Sequence, residues 1–138
     1  ELVLIAPAGH RLVRQAVFTP HSLARETMIL RESGSGTRQV IEERLAQLGL
    51  APGRVLEIAG SEGVRRAVAA GLGVGFASRR SVSLEIAQGL LQVAEIPELR
   101  IMRTLFALSR KDARPSAATL AFLALLVKGQ GAVAGPDL

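Results

Sequence analysis

Short apolar runs separated by helix-length stretches constrain this chain more than any other feature. Leu2–Ala6, Met28–Leu30, Val55–Ala59, Val74–Ala77 and Leu90–Ala94 are each only a few residues long and bounded by turn-forming or polar residues. Such runs read as strands, Leu2–Ala6 and Met28–Leu30 as buried ones. Between them lie segments with helical spacing. Ile41, Leu45 and Leu48 share one face of a helix that follows Thr37 and stops at Gly49, where Pro52-Gly53 turns the chain. Val64, Ala67, Val68, Gly71 and Leu72 recur at the helical period behind Gly60-Ser61-Glu62. Arg79–Gln88 reads as a further helix with Val82 and Ile86 inward, and Thr19–Glu26 as a short one begun at Pro20. Arg100–Ser109 reads as a longer strand, and Pro115-Ser116 starts a final helix running to about Lys128. Helix-length connections imply parallel neighbours, so the expected fold is α/β, a parallel sheet with helices on its faces.

Composition narrows what such a fold can do. The chain has 138 residues, 49% hydrophobic and 21% charged, which supplies enough apolar surface to offset the entropy of ordering. No apolar run approaches the roughly 20 residues of a membrane span; Leu120–Val127 is the richest, and Lys128 closes it. Cysteine is absent, which excludes disulfides and thiolate chemistry. Glu1–Ala6 lacks the basic start of a secretory signal, and a chain opening on a strand without Met is expected to be a fragment. The net charge of +5 comes almost wholly from scattered Arg, Lys111 and Lys128 being the only lysines, and Trp and Tyr are absent. Nucleic-acid surfaces combine a basic stripe with stacking aromatics, so these arginines read instead as solvated helix faces.

In parallel sheets ligands bind where strands end and helices begin, which singles out two loops. Ser33-Gly34-Ser35-Gly36-Thr37-Arg38 leaves a strand and enters a helix. Free backbone N–H groups and the positive end of the helix dipole converge at such a point, and the glycines allow a ligand close to the backbone. Ser35 or Thr37 would cap the helix, the remaining hydroxyls would hold oxygen atoms, and Arg31 and Arg38 would supply positive charge. This chemistry suits a carboxylate, phosphate or sulfate; the competing reading is a helix cap and a turn and nothing more. No Lys follows the glycines at the spacing of a nucleotide-hydrolysing loop. Gly60-Ser61-Glu62-Gly63 is the second loop, with Ser61 as N-cap and Glu62 in the first turn; alone it reads as capping. Both loops would lie at one sheet edge and form a shared polar rim.

Other chemistry finds little support. Gly71-Leu72-Gly73-Val74-Gly75 has a helix before it and a strand after it, the reverse of a dinucleotide fingerprint, and reads as a helix C-cap with a tight approach to a buried strand. His10 and His21 lie in turn-like segments, and the aspartates, Asp112 and Asp137, fall late, so no catalytic triad or metal cluster is evident. The chain is expected not to be an enzyme and to need no cofactor or metal.

Leu2–His10, Leu30–Arg38 and the run from Ser61 to Phe76, in this order and spacing, resemble LysR-type transcription regulators over almost all of residues 1–128. The resemblance implies the effector-binding domain of such a regulator, with the two α/β lobes of a type 2 periplasmic-binding-protein-like fold. One lobe would be complete, at about residues 7–94, and residues of about 99–128 would return to the other, whose first half lies outside the chain; 129–138 would be a flexible tail. It also implies a small-molecule effector, anionic by the loop chemistry, held by Ser33, Gly34, Ser35, Gly36, Thr37, Arg38, Ser61 and Glu62. DNA would be bound only through an N-terminal winged helix-turn-helix outside this chain. A cytoplasmic homodimer or homotetramer with no membrane partner completes the expectation. The final helix carries Leu120, Phe122, Leu123, Leu125, Leu126 and Val127 all round, as a helix buried on several sides would. With the first half of that lobe outside the chain, some of them are expected to be exposed. The alternatives are an extracytoplasmic solute-binding protein of a transporter and, more remotely, an enzyme lobe on the same fold.

Overall fold

The structure is a computed structural model that describes residues 1–14, 20–110, 112 and 114–128; the expected tail at 129–138 and Thr19 lie outside the described residues. The chain divides into two units, Glu1–Thr104 and Leu105–Leu138.

In the first unit the strands are β1 (Leu2–Pro7), β2 (Thr27–Arg31), β3 (Arg54–Ile58), β4 (Val74–Ser78) and β5 (Leu91–Ala94). They form one five-stranded sheet in the order β3-β2-β4-β1-β5. The helices are α1 (Arg11–Arg14), α2 (Gly36–Gln47), α3 (Ser61–Ala69) and α4 (Ser83–Ala87), with 3-10 turns at Pro20–Arg25, Arg79–Val82 and Pro97–Leu99. The expected helix over 79–88 is therefore a 3-10 turn running into a short α-helix, and within the one expected over 19–26 the residues Pro20–Arg25 form a 3-10 turn.

The sheet is mixed, which corrects the expected parallel arrangement. β2 pairs parallel with both β3 and β4, but β1 runs antiparallel to β4 and to β5. The crossovers through α2, α3 and α4 do connect strands of one direction, whereas the connection through α1 joins β1 to the oppositely directed β2. β1 departs because it inserts between β4 and β5, which are remote from it in sequence, and no local signal encodes that insertion.

Strand alternation explains why β1 reads as a continuous apolar run. Leu2, Leu4 and Ala6 enter one buried cluster with Met28, Leu30, Phe76, Ile41 and Leu45, while Val3 and Ile5 enter another with Ile29, Val64, Val68 and Leu91. Both faces of the sheet are covered, so neither set can be polar. α2 covers one face through Ile41 and Leu45, and α3 covers the other through Val64, Ala67 and Val68.

The glycine-rich junction between α3 and β4 forms the expected helix end and close approach, but α3 stops at Ala69 and Leu72, read as part of its apolar face, is exposed. Gly71, at φ +80°, ends α3, with the Gly71 N–H donating to Val68 O at 2.9 Å and the Leu72 N–H to Ala67 O at 3.1 Å. A Cβ on Gly73 would stand 2.2 Å from the Thr27 carbonyl oxygen. That oxygen is backbone and cannot swing aside. Gly73→Ala is expected to lower stability by about 1–3 kcal/mol. Urea unfolding would show this as a lower midpoint at unchanged slope; an unchanged midpoint would contradict the close approach.

The expected strand over 100–109 is not formed. Ile101 alone bridges Leu2, the Leu2 N–H donating to Ile101 O at 2.7 Å, and residues 102–110 carry no regular structure. A strand needs a partner for its backbone polar groups, and none is paired with this stretch among the described residues. The second unit contains α5 (Ala117–Lys128), whose first turn is capped by Ser116: its Oγ accepts from the Thr119 N–H at 3.2 Å. Leu120, Phe122, Leu125 and Leu126 are exposed and Leu123 is half-buried, so some of the expected residues are exposed; the Val127 side chain lies outside the described residues.

Candidate functional site

The parallel register of β2 with β3 puts the loops that follow both strands at one sheet edge. β4 ends at that edge as well. β1 begins there, because it runs the other way and Leu2 pairs with Ser78.

Ser33 and Gly34 form the first loop, and Ser35 is the N-cap of α2 with extended backbone but no side-chain capping bond. The Ser35 carbonyl accepts from the Gln39 N–H at 3.0 Å, which leaves the N–H groups of Gly36, Thr37 and Arg38 without an acceptor among the described residues. Ser33, Gly34, Ser35, Arg38, Gln39 and Glu42 line an open depression of about 190 Å³. The hydroxyls of Ser33 and Ser35 have no hydrogen-bond partner among the described residues, whereas Thr37 Oγ1 accepts from an Arg103 guanidinium nitrogen at 2.9 Å.

The second loop differs from expectation. Gly60, not Ser61, is the N-cap of α3, and Ser61 is its first helical residue. The reason is the backbone: Gly60 adopts φ +76°, open to glycine but strained for serine. Ser61 is exposed with its hydroxyl unpartnered among the described residues, and Glu62 is paired to Arg66 one turn along.

What ties the loops together is Glu32, which sequence reasoning passed over. Its Oε2 accepts from the Gly60 N–H at 3.0 Å and from Arg31 Nε at 2.8 Å, while Oε1 accepts from Arg31 NH2 at 2.6 Å. The side chain leaving β2 thus fixes the backbone leaving β3. The Arg31 guanidinium first, and the Gly60 N–H second, lower the Glu32 pKa from its ordinary 4.5 to about 2. A carboxylate with a depressed folded-state pKa stabilises the fold above its unfolded value and loses that contribution as pH falls through the folded one. Thermal midpoints are therefore expected to fall between about pH 4.5 and pH 2 in the native protein. Glu32→Gln should remove that part of the decline; the same decline in both proteins would show that Glu32 does not carry it.

The two arginines assigned charge from sequence have little to spare. Arg31 is held by Glu32, and Arg38 by Glu42 and Glu57 together, with a further bond from Arg38 to the Arg31 carbonyl oxygen. Glu57 comes from β3, so Arg38 also braces one loop's helix against the neighbouring strand. The structure thus gathers Ser33, Gly34, Ser35, Gly36, Thr37 and Arg38 around one helix start and links them to Gly60, beside Ser61. Arg103 is the other residue that sequence missed; it lies 66 positions from Thr37, beyond any local pattern.

Comparison with known proteins identifies the relatives of this arrangement. The LysR substrate binding domain family matches residues 1–131. The HTH-type transcriptional regulator CbbR of Rhodospirillum rubrum is 33% identical over 125 residues, covering 91% of this chain and 41% of the relative. The HTH-type transcriptional activator CmpR of Synechocystis is 33% identical over 132 residues, covering 96% and 43%. The solved structure of the Synechocystis PCC6803 CcmR regulatory domain in complex with 2-PG superposes with a TM-score of 0.77 at 29% identity, covering 93% of this chain and 62% of that one. The chain spans about two-fifths of the length of the curated relatives it matches.

Proposed function

The chain belongs to the LysR substrate binding domain family, the effector-binding domain of LysR-type regulators, and on that premise we propose that its two linked loops hold the anionic group of a small-molecule effector. The observation that carries the reading is the Glu32–Gly60 bond, which holds at one sheet edge two helix starts whose first N–H groups, and whose Ser33, Ser35 and Ser61 hydroxyls, have no partner among the described residues. Helix starts of this kind favour carboxylates and phosphates. The effector of the CcmR relative, 2-phosphoglycolate, carries both.

Within the intact regulator the effector would bias the arrangement of the domain and, through it, DNA binding by a part outside this chain. It can do so only by binding one arrangement more tightly than another. Regulators among the relatives support this over a transport receptor, and catalysis has no part in it. Homodimeric or tetrameric assembly and a cytoplasmic location belong to the same proposal; no helix among the described residues is long and apolar enough to cross a membrane. Calorimetric titration of the intact regulator with 2-phosphoglycolate and related phosphorylated or carboxylated acids, paired with operator footprinting, tests it. The expected result is saturable binding and an altered footprint. A footprint indifferent to every such acid would sink the proposal.

A further inference from the structure

We propose that Arg103 is the residue that neutralises the effector's negative charge, so that the site takes an oxyanion presented to a side chain from the returning chain segment as well as to the two loops. The inference rests on the reading of the loops as the effector site, and charge accounting leads to it. Arg31 and Arg38 are occupied by Glu32, Glu42 and Glu57. Arg79 and Arg100, where β1 begins and β4 ends, are occupied by Glu1 and Glu95. Among the described residues Arg80, the next residue after Arg79, makes no side-chain bond to either loop; its carbonyl accepts from Ser83 Oγ. Arg103 is different. Among the described residues it has no carboxylate partner, and its one side-chain bond is to a hydroxyl, that of Thr37 in the loop itself.

Its position follows from the fold. The reciprocal bonds between Leu2 and Ile101 pin the returning chain to the start of β1, at the edge where both loops emerge. Two residues further on, the Arg103 side chain reaches α2 and donates to Thr37 Oγ1 at 2.9 Å. A guanidinium offers five N–H donors in a planar fork. One is engaged by Thr37, which leaves the rest for a second oxygen-bearing group, and two parallel bonds to a carboxylate or phosphate suit that fork. Charge balance gives the residue its weight. Arg31, Arg38 and Arg103 face Glu32, Glu42 and Glu57 around the loop. Removing Arg103 leaves the carboxylates in excess, a surrounding that repels the anion the backbone N–H groups attract.

The test is titration of the intact regulator with 2-phosphoglycolate, using inorganic phosphate as a second probe and glycolamide as a neutral one. Arg103→Ala is expected to weaken 2-phosphoglycolate binding about tenfold or more, and Arg103→Lys to restore part of it. The native affinity should fall with added salt and that of Arg103→Ala much less, a readout that a packing role would not move. Arg80→Ala should bind as the native protein does. Native-like affinity and salt dependence in Arg103→Ala, with Thr37→Ala/Ser61→Ala weakened, would overturn the assignment of Arg103 and leave the site standing. Binding indifferent to both variants would overturn the site reading. Glycolamide binding as tightly as 2-phosphoglycolate, or no binding of either anion, would overturn the inference.

Discussion

Ile29→Ala is expected to lower stability by about 2–5 kcal/mol, enough to consume much of the margin of a small domain. Ile29 is fully buried in β2, between β3 and β4, and packs in the cluster with Val3, Ile5, Val64 and Val68. Truncation removes apolar contacts and leaves a cavity, and the cost depends on how far the surroundings can close it. Here they can close little. The register sets Ile29 beside Gly75, where there is no side chain to lean into the space. A Cβ at Gly75 would already stand 3.2 Å from Val64 Cγ1 and 3.3 Å from Val68 Cγ2, so α3 sits directly on the strand. Val55→Ala, on the edge strand β3 and half exposed, should cost well under half as much. Urea unfolding of both variants decides the matter. Near-equal losses would mean that α3 does not seal this face of the sheet.

The residues differ in how openly they announced their places. Ile41, Leu45, Val64, Ala67 and Val68 were legible because a helix laid on a sheet must repeat its apolar contacts at the helical period, and it does. Gly71 and Gly73 were legible because left-handed backbone and close approach demand glycine. The direction of β1 was not, since its partners β4 and β5 lie some seventy and ninety residues on, and pairing across such distances leaves no mark on neighbouring residues. Arg100–Ser109 misled because its apolar content fits a strand, while a strand exists only where another offers its edge.

The site shows the same division. Ser33, Ser35 and Thr37 stood out because hydroxyls and glycines between a strand and a helix are an unusual local combination. Glu32 was visible but mute: an acidic residue ending a strand has many uses, and only the fold shows that it grips Gly60. Ser61 was misplaced by one position because serine and glycine compete for the cap, and the left-handed backbone at Gly60 decided it. Arg38 was expected to lend charge to a ligand, yet Glu57 from the neighbouring strand meets it, a partner that no local pattern could supply.

Thr37→Ala combined with Ser61→Ala is expected to weaken effector binding by the intact regulator roughly a hundredfold or more, with little change in unliganded DNA affinity. A hydrogen bond to a charged group contributes about 1.5–3 kcal/mol, and each tenfold of affinity corresponds to about 1.4 kcal/mol. Two lost donors therefore reach that range if both touch the anion. Thr37 carries more than its own bond, because its hydroxyl also holds Arg103 in place. Its loss should accordingly be non-additive with Arg103→Ala, whereas Ser61→Ala, on the other loop, should add more simply. Stability should change little, since Ser61 is exposed and Thr37 only half-buried, with no hydrogen-bond partner for the Ser61 hydroxyl among the described residues. Calorimetric affinity for 2-phosphoglycolate and thermal midpoints, measured on the same preparations, separate binding from folding. An affinity within threefold of native, at an unchanged midpoint, would show that these hydroxyls cap helices and do nothing more.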